Sequence, residues 1–427
     1  MHIGKRLFLL RKRKGLSQEG ISKGIISRGH YSNIESGRYK ASDDIIELLA
    51  AELNVPFEYL YGTKDKQSNL AENLRVLYQF IQDREYDHAR RVISNIRTNF
   101  PYIFSYEQEL HFNILICYFL IQTKQHKTCT NVMEELNVYV DDPSQLTAEL
   151  AFIYHYVMGL WYYCQSVFPL SYESFQYCLN ECDNEIEKGN IYYNLALASY
   201  GCLQNYQAIN FAKRSLQIQL TEHKWFEATK SYLLLGINYW EMSNIEDAKN
   251  NMKKALDLGN AHDYEELKGS IYHNLALIYQ SENNYDYCIH FLEKSIEAKL
   301  NTNYESVIIT YCNLIDLYLE IDQIDQAKGV LIGARNYVKK EEDSKNLDIY
   351  DAKILYLENQ FCEYEELMNE LIHYYTTLRS WRKVKDLTEE YSQYLGNNLK
   401  YKLAFNYSQL ALKANQYLYE KGGLLND

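Results

Sequence analysis

The chain has 427 residues, 47% of them hydrophobic and 24% charged, with a formal net charge of −13. That apolar share supplies a large core and excludes a disordered chain. The longest apolar run, FNILICYFLI at 112–121, is about half of what a bilayer crossing needs, which excludes a membrane span.

The charge is unevenly placed. Residues 1–40 hold ten Lys or Arg against Glu19 and Glu35, a surplus of +8, so the remaining 387 residues carry −21. A compact basic head suits a phosphate backbone, whereas an acidic body repels one, so the two parts are expected to have different partners. The first residues, MHIGKRLFLLRKRKG, lack the apolar core and cleavage site of a signal peptide, and a cytoplasmic protein is expected. Nine cysteines without a CxxC pair read as reduced thiols packed as small hydrophobes. The eleven histidines are dispersed, among them His155, His223 and His290, and no HExxH, GxSxG or Gly-rich phosphate loop is present. No enzyme activity, metal or cofactor is assigned.

In chain order, segment 3–14 places Ile3, Leu7 and Leu10 on one helical face and ends in four cations that suit a helix C-terminus. Gly15 stops it. Ser17 is a good N-cap for a second helix, Ser27 for a third that Gly37 closes, and 45–55 forms an amphipathic helix ending before Pro56. Within this stretch, Ser17-Gln18-Glu19 followed by Tyr31-Ser32-Asn33-Ile34-Glu35-Ser36-Gly37 resembles the helix-turn-helix of the phage-repressor and Xre type, with Tyr31 in place of the usual aliphatic. The resemblance covers about 55 residues and implies a DNA-binding domain over 1–66 whose third helix enters the major groove. Arg28, His30 and Asn33 are the expected base readers, Arg28 on guanine and Asn33 on adenine or phosphate. Gln18, Arg38 and Lys40 are expected on the backbone, and Ser17, Ser27 and Tyr31 complete the set.

From 67 to 421 the chain repeats itself. Leu195, Leu235, Leu275 and Leu314 recur at steps of 40, 40 and 39, each followed after thirteen residues by a small one, Ala208, Ala248, Cys288 or Ala327. Seven residues further come Ser215, Ala255, Ser295 and Ala334. Small residues at those offsets let antiparallel helices approach closely. The pattern L-G/A-x2-Y, then A-x3-F-x2-A, resembles the tetratricopeptide repeat, with helices lengthened by about one turn. Weaker copies anchor on Val76 with Ala89, Leu115 with Thr128, Met158 with Ser171 and Phe175, Leu355, and Tyr391 with Ala404. The expected fold is all-α: the head, then a right-handed TPR-type α-solenoid of about nine helix pairs, then a tail over 422–427.

The segments YYNLALASYG at 192–201 and YHNLALIYQS at 272–281 put Asn194 and Asn274 at one repeat position, which Asn313 also occupies. In proteins of this type that position faces the concave groove. A primary amide offers both donor and acceptor, so a ladder of them could hold an extended peptide by its backbone. Tyr193, Tyr200, Asn238, Trp240, His273 and Tyr311 are expected beside it. With inner helices about 8–10 Å apart and roughly 3.3 Å per extended residue, the register suits a peptide of about eight residues or fewer.

A helix-turn-helix head joined to such a body resembles the RRNPP group of peptide-sensing regulators, most closely its PlcR and NprR branch. The resemblance implies a homodimeric or higher-order transcription regulator in quorum sensing, with a short signalling peptide and palindromic double-stranded DNA as partners. Some relatives use the same body as a Rap-like phosphorelay modulator that binds a response regulator and promotes its dephosphorylation, and that alternative stays open. A phage-borne regulator of the same architecture would have the same sequence features.

Overall fold

The computed structural model describes residues 3–62, 67–302 and 307–423. Among them the regular elements are α-helices and one short 3-10 turn, Pro143–Gln145, and no helix is long and apolar enough to cross a membrane. The chain divides into two compact units, Met1–Asp183 and Asn184–Asp427. The domain boundary expected at residue 66 and residues 424–427 of the expected tail lie outside the described residues, whereas Gly422 and Gly423, expected in the tail, belong to the last helix.

The first unit opens with five short helices: α1 (Ile3–Arg13), α2 (Gln18–Ser22), α3 (Arg28–Glu35), α4 (Asp43–Leu53) and α5 (Phe57–Tyr61). The expected caps form. Ser17 Oγ accepts from the Gly20 amide at 2.9 Å and Ser27 Oγ from the His30 amide at 3.2 Å. Gly15 and Gly37 take φ of 66° and 76°, the left-handed values that end helices cheaply only at glycine. Leu7, Ile21, Tyr31, Ile34, Leu49, Leu53 and Leu60 form the core between them. Three helix pairs follow: α6 (Ser68–Gln82) with α7 (Tyr86–Asn99), α8 (Tyr106–Gln122) with α9 (His126–Tyr139), and α10 (Ala148–Cys164) with α11 (Phe168–Glu181).

The second unit holds six pairs: α12 (Glu185–Gly201) and α13 (Asn205–Thr221), α14 (Trp225–Glu241) and α15 (Ile245–Ala261), α16 (Glu265–Ser281) and α17 (Tyr285–Asn301), α18 (Val307–Glu320) and α19 (Ile324–Arg335), α20 (Glu341–Leu357) and α21 (Phe361–Thr377), α22 (Trp381–Asn397) and α23 (Tyr401–Gly423). From α12 to α17 every helix has 17 residues and every connector three, which is what makes the period 40. Each connector turns through one left-handed residue: Leu203, His223, Ser243, Asp263 and Asn283 have φ between 56° and 59°. The strain at a non-glycine residue there is offset by the bonds it permits, as when Gln204 N reaches Ser199 O at 2.9 Å.

The small residues lie where the helices touch. Ala208, Ala248, Cys288 and Ala327, with Ser215, Ala255, Ser295 and Ala334, are completely buried. Ser215 and Ser295 donate to Gly189 O and Gly269 O, each at 2.7 Å, so these contacts recur every 80 residues. The outer repeats slip the register. Leu77, not Val76, is buried in α6, and in α9 Cys129 is buried while Thr128 is exposed.

Candidate nucleic-acid interface and ligand-binding face

In the head, Arg28, Asn33, Arg38 and Lys40 are exposed on and just after α3. Ser17 and Ser27 use their hydroxyls as caps. His30 lies half-buried with its ring edge-on to Tyr39 at 4.6 Å, and its Nε2 has no hydrogen-bond partner. Tyr31 packs into the core, where burial and the nearby Glu35 carboxylate push its phenol well above the usual range.

The buried Glu35 joins three helices. It accepts from Arg11 Nε at 2.7 Å and Arg11 Nη2 at 3.2 Å, from Gln18 Nε2 at 2.6 Å and from Tyr31 OH at 3.4 Å. Gln18 thus spends an amide proton inside the head, and the Glu of the I-E-x-G motif is a structural clamp that sequence reading did not assign. Of the ten cations in residues 1–40, Lys5, Arg6, Arg11 and Arg13 pair with carboxylates of the first unit. Lys12, Lys14, Lys23, Arg28, Arg38 and Lys40 are exposed. These six carry the solvent-exposed positive charge of the head.

In the second unit the first helices of successive pairs are linked by side chains at steps near 40. Tyr200 OH donates to Glu241 at 3.4 Å, Trp240 Nε1 to Ser281 Oγ at 3.3 Å and Gln280 Nε2 to Glu320 at 3.1 Å. The Lys230 ammonium lies 4.6 Å over the Tyr193 ring, and Tyr311 stacks on Tyr337 at 5.9 Å. Lys353 and Tyr350 meet Asp316 at 2.9 and 2.6 Å. The result is a line of aromatic, amide and charged groups from α12 to α20.

The asparagines divide. Asn274 and Asn313 are half-buried on this line, Asn194 is mostly buried, and Asn238 has no exposed surface. Asn238 and Asn274 each donate one amide proton to a carbonyl four residues back, Leu234 and Ser270, at 2.8 Å. Asn238 Oδ1 has no hydrogen-bond partner. Asn313 faces His273 Nε2 at 3.5 Å.

His273 sits in a node spanning three helices. Its Nδ1 lies 3.2 Å from Thr310 Oγ1, which accepts from Lys299 Nζ at 2.7 Å. Burial, with help from the Lys299 charge, pulls the imidazole down to about 4, and burial pulls the Lys299 amine down to about 8. The ring is therefore neutral at pH 7. With the Thr310 oxygen accepting from Lys299 and from Nδ1–H, Nε2 is left as an acceptor facing Asn313 Nδ2 at 3.5 Å.

Eighty residues earlier the same place holds Gln219, whose Oε1 accepts from Ser231 Oγ at 2.7 Å. The two-repeat spacing that duplicates NLAL therefore also places these nodes, the second being ionisable. Lys299 was legible only as that counterpart. Room for it comes from Gly269, where a Cβ would stand 2.7 Å from Lys299 Cγ.

Residues 7–60 match the helix-turn-helix family HTH_3. Over 401 residues, 91% of this chain and 97% of the other, the sequence is 22% identical to the transcriptional activator NprA of Geobacillus stearothermophilus. Response regulator aspartate phosphatase I of Bacillus subtilis is 20% identical over 329 residues, 75% of this chain and 82% of that one. The fold is that of the quorum sensor NprR. The apo form from B. thuringiensis superposes with a TM-score of 0.62 at 14% identity over 82% of this chain and 99% of NprR. The complex of NprR with its cognate peptide NprX gives 0.56 at 14% identity, covering 83% and 100%. An Xre-like helix-turn-helix ahead of this solenoid is the architecture of the RRNPP regulators, the group that the sequence resembles.

Proposed function

We propose that this RRNPP-type chain is a cytoplasmic quorum-sensing transcription regulator. Its head, residues 1–66, binds a palindromic operator, and its solenoid, residues 67–421, binds a short signalling peptide and forms the homodimer. The single observation that carries the reading is the pairing, in one chain, of a head that exposes Arg28, Asn33, Arg38 and Lys40 on and after its third helix with a repeat face lined in register by Tyr193, Tyr200, Trp240, His273, Asn274, Tyr311 and Asn313. Base readout falls to Arg28 and Asn33, and phosphate contact to Arg38 and Lys40. The names of NprA, an activator, and of the NprR complex with its peptide support the same assignment. For the dimer, α23 offers Tyr401, Phe405 and Leu412, more than half exposed and on one helical stripe.

The test is a mobility-shift assay on upstream DNA of the regulated genes, with and without short peptides from the producing culture. A peptide-dependent change in affinity is the expected result; the same affinity in both conditions would remove the sensing role. The second reading, a phosphorelay modulator, is favoured by the likeness to response regulator aspartate phosphatase I. It predicts that the chain shortens the lifetime of a phosphorylated response regulator. In either reading the chain regulates a partner and has no catalytic residue assigned.

A further inference from the structure

Arg6 reads in the sequence as one more cation of a basic helix, yet it has no exposed surface. Its Nε donates to Glu109 Oε2 at 2.9 Å and Nη2 lies 2.7 Å from the same oxygen, while Nη2 donates to Ile103 O at 2.9 Å and Phe104 O at 3.2 Å. Nη1 donates to Tyr59 O, and the Tyr59 hydroxyl donates to the other Glu109 oxygen. The guanidinium lies between the rings of Tyr59 and Tyr106, 4.2 and 3.9 Å from their centroids.

Around this centre lie further contacts between the head and the second helix pair. Lys5 Nζ pairs with Asp141 at 2.5 Å and donates to Tyr139 O at 3.2 Å, while Arg13 forks onto Glu135 at 2.6 and 2.9 Å. Tyr106 OH donates to Leu60 O at 2.7 Å and Tyr102 OH to Asn54 O at 3.2 Å. Gly62 turns with φ of 67°, and a Cβ there would stand 2.4 Å from the Tyr106 ring.

Detaching the head would have to break the Arg6 contacts to Glu109, Ile103 and Phe104 together with the Lys5 and Arg13 pairs, so the two parts separate only by giving up the whole network at once. Meanwhile Arg28, Asn33, Arg38 and Lys40 stay exposed, so the docked head is competent to meet DNA.

We infer that Arg6, Glu109, Arg13 and Glu135 are positioning residues that mount the DNA-binding head on the second helix pair as one rigid body, which fixes the half-site spacing that the regulator accepts. The inference rests on the regulator reading above. A signal arising elsewhere in the chain then reaches the operator by carrying the head and the α8–α9 pair together, not by freeing the head.

The test uses the full chain and a series of palindromes that share half-sites chosen by selection and differ in spacer length by single base pairs. Five added base pairs, about half a helical turn, are expected to weaken native binding by about tenfold or more. Glu109→Gln, if its circular dichroism is native, flattens that profile. Glu135→Arg, at a partly exposed pair, flattens it without risk to the buried centre, and adding Arg13→Glu restores the native optimum. A flat native profile, or variant profiles as sharp as the native one, overturns the mount while leaving DNA binding intact. Binding at no spacing overturns the regulator reading and the inference with it.

Discussion

Lys299 reaches out of α17, past the missing side chain of Gly269, to donate to Thr310 on α18 at 2.7 Å. An amine from the second helix of one pair thereby meets a buried hydroxyl on the first helix of the next. The solenoid places a buried ionisable centre beneath its candidate ligand face by omitting one Cβ.

That geometry makes Gly269 sensitive. Gly269→Ala must displace the Lys299 stem and is expected to cost about 1–3 kcal/mol, the usual range for overpacking. Gly189→Ala meets Ile218 Cγ2 at 3.0 Å and should cost less. Thermal melts of the two variants, compared side by side, check the order.

Stability should fall in mild acid. His273 titrates near 4 when folded and near its ordinary 6.5 when unfolded. Between those values the unfolded chain binds the extra proton, so the stabilising contribution is present above 6.5 and lost as pH falls towards 4. The difference is about 3 kcal/mol at the bottom of the window. Lys299 has the same sign at the alkaline end, where stability rises between pH 8 and 10.5. Denaturant titrations of native and His273→Gln protein at pH 7.5 and 5 should converge if the imidazole is responsible.

DNA affinity should depend on salt less steeply than the head's composition suggests. With four cations committed to carboxylates, six remain per head, giving a dimer with two heads a slope of log K against log salt of about −11 instead of about −18 for all ten per head. Fluorescence anisotropy across a salt series measures it. Lys40→Ala should weaken all sequences alike, whereas Arg28→Ala should cost about 1–3 kcal/mol on the cognate site and relax one base position.

For the peptide, Asn274→Ala and Asn313→Ala are each expected to cost about 1–3 kcal/mol of affinity. Asn238→Ala should leave affinity within about twofold and alter stability instead, because that amide has no exposed surface. Calorimetry on the three variants separates groove residues from packed ones.

The helices were legible because their causes are local. Ser17 and Ser27 announced their caps, and the leucines at 195, 235, 275 and 314 announced the stack. Arg6 was not, since Glu109 lies 103 residues away and a contact at that distance leaves no period in the chain. Glu35 was hidden for a related reason. It belongs to a family motif, but its partners Arg11 and Gln18 are themselves polar, and nothing in the string distinguishes a clamp from a surface pair. The amide register was visible at 194, 274 and 313. How much of each amide is exposed was not, because burial depends on the size of the side chains that pack around it from other helices.

The uniform metrics of α12 to α17 make the array modular in the engineering sense. Excising 225–264 joins Lys224 to Glu265, and the junction keeps a left-handed residue, His223, at the place that Asp263 held. The array can thus be shortened by a whole block with every turn conserved, whereas removing a single residue from any connector rotates everything downstream.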